Sequence, residues 1–282
     1  MRRRSLLKNK SRISKQLLAF PYQLWAAAFI VIPLLMILYY GLINQEHEFT
    51  LENLARITTP ETLKSLGLAI LLSLVSTLIC LVLAYPLAMI LANSNLKQSG
   101  FVVLIFILPM WMNSLLRTIA WQNLLEKNGV INQLLEALHL PSLNIINTPS
   151  AIVLGMVYNF LPFMVLPIYT VLSKIDKDVI TAARDLGANS IQTFARIILP
   201  LSTPGIISGI TMVFVPALTT FVISDLLGGS KILLIGNVIE QEFKQGNNWN
   251  AGSGLSLVLM IFIVISMALI AKYDKEGEGN VF

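Results

Sequence analysis

The chain has 282 residues, of which 55% are apolar by type and 12% are charged, and its mean hydropathy is +0.74. This composition excludes a water-soluble enzyme and a disordered protein. A helix needs about 20 apolar residues to cross a bilayer core, so the length suits one polytopic membrane domain. The net charge of +5 is a basic excess that nucleic-acid binding or membrane topology could each produce.

Six long apolar stretches predict an all-α membrane protein with six transmembrane helices. Prolines inside several stretches indicate kinked helices that pack against each other, because lipid cannot satisfy the freed backbone carbonyls. Only the third stretch carries a charge, at Arg117 near its outer end, where we expect the side chain to reach the interface or to bond carbonyls. The six stretches are Leu24–Ile43, Leu66–Ala92, Phe101–Leu125, Ala151–Ser173, Pro204–Ser224 and Gly254–Ala271.

The positive charges divide unevenly between the two sides of the predicted membrane domain. The side that holds the amino terminus and every second loop carries 14 Lys and Arg residues, and the other side carries five. Since cytoplasmic loops hold the excess, both termini are predicted to be cytoplasmic, which accounts for the basic charge without nucleic acid. The expected organisation is a basic cytoplasmic segment at 1–23, a membrane domain at 24–272 and a cytoplasmic tail at 273–282.

The inner loop between spans four and five, residues 174–203, has the pattern of a folded element. Apolar residues recur at helical spacing in two runs, which predicts two short amphipathic helices separated by Gly187. The first run is Val179, Ile180, Ala183 and Leu186, and the second is Ile191, Phe194 and Ile198.

Local signals suggest where these two helices begin and end. Gly187 fits the end of the first helix, and Asn189 or Ser190 can cap the second. We expect Leu199 and Pro200 to end the second helix. The fifth span would then start from a Thr203 cap with Pro204 in its first turn.

Small residues on the first of these helices form a low surface that another protein can approach closely. They are Ala182, Ala183 and Gly187, and the charged side chains of Arg184, Asp185 and Arg196 lie near them in the sequence. The pattern is typical of a docking helix, and it also fits an elbow whose small residues serve only its own packing.

This loop resembles the signature of the membrane subunits of ATP-binding-cassette importers. The resemblance rests on Ala182, Ala183, Gly187, Ile197, Leu199 and Pro200, which keep the family's spacing. The family's glutamate position holds Thr181, so a hydroxyl replaces the carboxylate that would pair with the ATPase. The resemblance implies a type I importer fold with a cytoplasmic coupling helix between spans four and five.

Longer stretches narrow the resemblance to spermidine/putrescine importer permeases, specifically the first of their two membrane subunits. It implies a bacterial inner-membrane location, a second permease, two cytoplasmic ATPases that bind the ATP, and an external polyamine-binding protein. It implies no catalytic residue, metal or cofactor on this chain. The stretches are Pro109–Trp121, Thr148–Leu201 and Ser224–Ile239.

Three other classes were weighed on the residues. An ion-coupled carrier usually has ionisable groups at the membrane midplane, and here only Arg117 lies well inside a span. A permease for another small solute stays open, because the external binding protein does much of the selection. An enzyme is disfavoured because His47 and His139 lie far apart with no ligand spacing, and Gly228–Lys231 matches a phosphate loop in composition only.

A polyamine path needs oxygen atoms for its ammonium groups and aromatic faces for its methylene groups. Asp225, at the predicted outer end of span five, is the first candidate. The run Ile232–Ile239 is too short to cross the membrane and is expected to dip back toward the path. The other candidates are Glu240, Trp111, Tyr158, Phe221 and Trp249, for which packing or an interfacial belt is the alternative.

Overall fold

The computed structural model describes residues 20–93, 104, 108–229, 231–244, 246 and 248–278, with side chains up to residue 270. Residues 1–19 of the predicted basic segment, the inner loop at Lys97 and much of the first half of the third span lie outside the described residues, as do the side chains of the tail at 273–282. The described chain is helical apart from loops and one isolated β-bridge between Ile43 and Phe49.

Five helices in the described part of the chain are long and apolar enough to cross a membrane. Shorter helices lie between them. In chain order the helices are α1 (Phe20–Gly41), α2 (Glu52–Ala55), α3 (Pro60–Asn93), α4 (Ser114–Leu125), α5 (Val130–Ala137), α6 (Pro149–Leu172), α7 (Lys177–Asp185), α8 (Ser190–Thr219), α9 (Val222–Gly228), α10 (Ile235–Lys244) and α11 (Trp249–Glu278).

Four of the predicted spans correspond to α1, α3, α6 and α11, with boundaries that differ by up to seven residues. The third span was predicted as one helix to Leu125, which is wrong: residues 108–111 are helical, and the chain then breaks. Asn113 leaves the helical region with ψ 124° and starts α4 by accepting a hydrogen bond from the Leu115 amide at 2.8 Å. An asparagine that caps its own new helix can interrupt an apolar run in this way.

The chain divides into two compact units. The first contains the described residues up to Ile57 together with Glu242–Met260. Its polar centre is formed by Asn53 and Asn250, whose amide groups both donate to the Ile43 carbonyl, at 2.8 and 2.7 Å. These bonds satisfy backbone carbonyls just beyond the end of α1, which water or a cap must otherwise satisfy.

The second unit contains Thr58–Gln241 and the residues from Ile261 onward, and its core lies between α3, α6 and α8. Glycines on α8 bring it close to α6: a Cβ atom on Gly205 would lie 2.9 Å from the Pro167 carbonyl, and one on Gly209 would lie 2.6 Å from the Met164 sulfur. Small residues are typical where membrane helices pack closely. The buried core residues are Cys80, Ala84, Ala88, Leu91, Met164, Val165, Ile168, Leu172 and Val213.

Candidate functional site

The loop at 174–203 folds into a helical elbow whose first arm is α7. Asp176 caps its start by accepting a hydrogen bond from the Asp178 amide at 3.0 Å. At its end the Gly187 amide donates to the Arg184 carbonyl and the Ala188 amide donates to the Ala183 carbonyl, the pair of bonds that closes many helices. Gly187 has φ +86°, so glycine is required here by the backbone rather than by lack of space. The prediction that Gly187 ends this helix is confirmed.

The second arm starts at Asn189, which resolves the choice between two caps. Asn189 accepts a hydrogen bond from the Gln192 amide at 2.8 Å, and the Gln192 side chain accepts one from the Asn189 amide at 3.0 Å. Such a reciprocal box satisfies two of the free amides at a helix start. The second arm therefore begins with a turn that local sequence specifies.

The predicted end of the second arm at Leu199 and Pro200 is wrong, and so is the start of span five at Thr203 and Pro204. The helix continues without interruption as α8, and the Thr203 hydroxyl donates to the Leu199 carbonyl instead of capping. A π-helical turn, Phe194–Ile198, precedes Pro200. Its wider spiral makes room for a proline ring that would collide with the preceding turn of a regular helix. The second arm and the fifth span thus form one continuous helix.

Tyr85 of α3 contacts this junction from the membrane domain, and this contact was not predicted from the sequence. Its ring meets the Phe194 ring edge to face at 5.7 Å, and its hydroxyl lies 2.7 Å from the Ser202 hydroxyl. The only signal in the sequence is a polar aromatic next to Pro86 within an aliphatic span. Tyr85 thus connects α3 to the first residue of the π-turn and to a residue beyond its end.

The elbow exposes most of the residues that carry the importer resemblance. Thr181, Ala182, Arg184, Asp185 and Gly187 are exposed, whereas Ala183 is buried. The Thr181 hydroxyl donates to the Lys177 carbonyl at 3.0 Å, so its proton is already used inside the helix. Later in the signature, Ile197 is half-buried, and Leu199 and Pro200 are exposed on α8.

Two apolar residues of the predicted helical runs are largely exposed. Leu186 is 89% exposed and Ile191 is 78% exposed. Both flank the Gly187 turn, where no residue of the described chain covers them. With Val179 and Ala182, they form an exposed apolar surface that we call the elbow face. Exposed apolar surface of this kind marks interaction sites.

The fifth span also differs from its prediction at the outer end. This span was predicted to reach Ser224, but its helix ends at Thr219. Thr220 adopts an extended conformation with ψ 138°, and α9 begins at Val222. Asn237, which is 3% exposed, holds this break together. Its side-chain oxygen accepts bonds from the Ser224 hydroxyl and the Leu234 amide, and its amide donates to the Phe221 carbonyl at 3.2 Å.

The run Ile232–Ile239 packs against this break. Leu234 and Ile235 are fully buried, and a Cβ atom on Gly236 would lie 2.7 Å from the Thr219 carbonyl. A close approach of this kind needs glycine. The segment is therefore part of the packed interior of its unit, and its predicted approach to the solute path stays a prediction.

The predicted path residues are spread over both compact units. Asp225 lies exposed on α9, and Phe221 lies at the break just before that helix. Trp111 is exposed just before the Asn113 break, and Tyr158 of α6 stacks edge to face on Trp121 at 5.3 Å. Glu240 is half-buried on α10. Trp249 belongs to the other unit, where it contacts the rings of Tyr40 and Phe243.

A cavity of about 350 Å³ lies between the two broken spans. Residues on both sides of Asn113 form one wall, Asn159, Phe160 and Phe163 of α6 form another, and Thr220, Val222 and Ile223 close it at the second break. Arg117 and Asn159 line the cavity and are only 7% and 3% exposed. The expectation that Arg117 reaches the interface or bonds carbonyls is wrong, because its side chain is buried and two of its nitrogens, Nε and Nη1, have no hydrogen-bond partner among the described residues.

Comparison with known proteins places the whole chain in one family. A sequence profile described as "Binding-protein-dependent transport system inner membrane component" matches residues 8–275. The chain is 36% identical over 259 residues to the spermidine/putrescine transport system permease protein PotB of Haemophilus influenzae. The aligned residues cover 89% of this chain and 91% of that protein. It is 40% identical over 245 residues to PotB of Escherichia coli, with 84% and 89% covered.

Solved structures match the fold at low sequence identity. A crystal structure of a bacterial ABC transporter involved in the import of the acidic polysaccharide alginate superposes with a TM-score of 0.77 at 16% identity, covering 100% of both chains. A second alginate transporter structure, in complex with a pentasaccharide-bound periplasmic protein, gives a TM-score of 0.76 at 15% identity over 94% of both chains. These matches confirm the type I permease fold that the elbow signature implied. The chain belongs to the family of inner membrane components of binding-protein-dependent transport systems, as a permease subunit and not an enzyme.

Proposed function

We propose that this chain is one of two permease subunits of an ATP-driven polyamine importer. The observation that carries the proposal is the 36–40% identity, over most of both chains, to permeases named for spermidine and putrescine transport. The remaining subunits are a second permease, two cytoplasmic ATPases and an external polyamine-binding protein. ATP is bound and hydrolysed by the ATPases, and both termini of this chain lie in the cytoplasm, as the distribution of Lys and Arg supports.

In this proposal an ATPase subunit binds the chain at the elbow face. Its exposed Leu186 and Ile191 would become buried, while Arg184 and Asp185 supply charged contacts beside them. Because α7 is joined through the capped Asn189 turn to α8, and α8 runs on into the membrane, displacement of the elbow moves span five as one body. ATP can change the conformation only through its different affinity for the two states of the complex, so the elbow position must differ between them.

Polyamine uptake by the purified complex tests the substrate. The complex is reconstituted in vesicles with the binding protein outside and ATP inside, and entry of labelled spermidine or putrescine is measured. We expect both polyamines to enter and to compete with each other, while unrelated solutes do not compete. Uptake of neither polyamine, with another small solute entering in its place, would reject the substrate assignment and leave the family assignment intact.

Asp225 is proposed as the acidic residue of the polyamine path, with Phe221, Trp111 and Tyr158 as aromatic walls. A carboxylate favours an ammonium group electrostatically, and an amide of the same shape does not carry the charge. We expect Asp225→Asn to lower polyamine uptake at least about tenfold, a difference of about 1.4 kcal/mol. Complex assembly and basal ATP hydrolysis should be retained. Unchanged uptake by this variant would remove Asp225 from the path.

A further inference from the structure

Arg117 is a buried charge that the described part of the chain does not compensate. The residue is 7% exposed, and its Nε and Nη1 atoms have no hydrogen-bond acceptor among the residues that the structure describes. The Tyr158 ring lies 5.9 Å from the guanidinium carbon, and such a contact offsets only a small part of the penalty for burying a charge. Arginine has five donors and no acceptor, so a complementary group must be an acceptor, and a carboxylate fits best.

No described residue of this chain provides that carboxylate. Within residues 20–93, 108–229, 231–244 and 248–270, the Arg117 side chain makes neither an ion pair nor a hydrogen bond. The Oδ1 atom of Asn159, on the same cavity, also lacks a partner. Native proteins rarely leave such groups buried and unpaired. The cavity is thus incomplete in the chain alone, and its volume of about 350 Å³ is far more than one water needs.

The edge of the cavity indicates where the missing group comes from. Met112 lines the cavity and is 59% exposed, and Trp111 and Leu116, which precede Met112 and Arg117 in the sequence, are also exposed apolar side chains. An apolar edge around a buried cation matches a membrane helix that carries one acidic side chain, because apolar residues of that helix can cover the edge while the acid enters. We propose that Arg117 receives an aspartate or glutamate side chain from the second permease of the importer. This rests on the proposed function for the existence of a second permease.

The stability of the permease pair tests the proposal without substrate or ATP. The full complex that carries Arg117→Met is purified in detergent, and dissociation of the two labelled permeases is measured. The substitution removes the charge and puts a long apolar side chain in its place. Arg56→Met is the matched control, because Arg56 is about half exposed and pairs with Glu242 at 3.8 Å. Because Arg117→Met removes one partner of a buried charge pair, we expect it to lower the affinity between the two permeases at least about thirtyfold. Arg56→Met removes an exposed pair and should lower that affinity less than about fivefold.

A second set of variants identifies the acidic partner. Each acidic residue in the membrane domain of the second permease is changed to its amide in the Arg117→Met background. We expect one such change to restore most of the lost affinity, because it removes the carboxylate left unpaired. The proposal is overturned if the Arg117→Met complex dissociates like the control or if no amide variant restores the affinity. It is also overturned if a bound anion, and not a carboxylate, neutralises Arg117. In that case, replacing chloride in the buffer by a larger anion would change the stability of the permease pair as much as the substitution does. The proposal is likewise overturned if Arg117→Met lowers the melting temperature of the singly expressed chain as much as that of the complex.

These results are independent of what the importer carries. Pair affinity is measured in the absence of polyamine, so a failure of polyamine uptake leaves the outcome for Arg117 unchanged. In turn, a complex that transports polyamines and shows no effect of Arg117→Met on pair affinity overturns this inference alone.

Discussion

Leu186 is the most exposed large apolar side chain of the elbow face. Its spacing with Val179, Ile180 and Ala183 is that of an amphipathic helix, and α7 is such a helix. Periodicity identifies the apolar side of a helix but not what covers it. Ala183 is covered by the chain itself, whereas Leu186 is 89% exposed and would be covered only by a partner.

Changing Leu186 to Asp tests whether the elbow face binds the ATPase. Because the side chain is exposed, we expect the variant permease to keep its melting temperature, while its affinity for the ATPase subunits falls at least about tenfold. Leu138→Asp is the matched control, since Leu138 is 62% exposed in a loop predicted to lie on the opposite side. Equal ATPase affinity for the two variants would contradict the docking role of the face.

Gly187 is the residue on which the shape of the elbow depends. Its φ of +86° costs a residue with a Cβ atom about 1–2 kcal/mol, although no atom would collide with that Cβ. We expect Gly187→Ala to speed the exchange of backbone amide hydrogens at the end of α7. We also expect fewer polyamine molecules to be transported for each ATP that is hydrolysed. Gly67→Ala is the control, because Gly67 is exposed inside α3 with free space around it and the change should be neutral or slightly stabilising. Identical exchange in α7 for both variants would argue against this role.

At the scale of elements, helix ends that depend on neighbouring residues could be predicted from the sequence. Helix ends that depend on distant residues could not. The caps at Gly187 and Asn189 depend on residues within a few positions, so sequence reasoning found them. The continuation of α8 through Pro200 depends on a π-turn, and the rule that proline ends a helix gave the wrong boundary. The break at Thr220 is held by Asn237, 17 positions further along the chain, and no periodicity reports such a contact.

The break in span five is expected to matter for transport beyond its effect on stability. Asn237→Leu keeps a side chain of similar size and leaves the Leu234 amide without its acceptor, at about 1–3 kcal/mol for this buried group. The Ser224 hydroxyl loses one acceptor and keeps the Phe221 carbonyl. Asn132→Leu is a close control: Asn132 is 4% exposed and also makes three bonds, to Glu126 and Leu143 in another loop. We expect similar losses of melting temperature, measured in the same detergent, and a loss of uptake only for Asn237→Leu. Equal uptake by the two variants would contradict a transport role for the break.

For the whole molecule, hydropathy and charge were enough to predict the fold class, and the elbow signature was enough to predict the family. They did not predict the cavity at Arg117, because it exists only where two broken spans meet. Apolar stretches predict continuous helices, whereas Asn113 and Thr220 interrupt two of them and bring a charge into the interior. Such breaks are tolerated where the backbone lines a cavity or is buried in protein rather than facing lipid.

The source of energy for transport is the most direct test of the proposed importer. Vesicles containing the purified permease pair, with and without the ATPase subunits, are given binding protein and labelled polyamine outside, and entry is followed with ATP inside or with an imposed proton or sodium gradient. We expect uptake only when both the ATPases and ATP are present, and its loss in Leu186→Asp. Uptake by the permeases alone, driven by a gradient, would contradict the proposal that an ATPase drives this chain through its elbow.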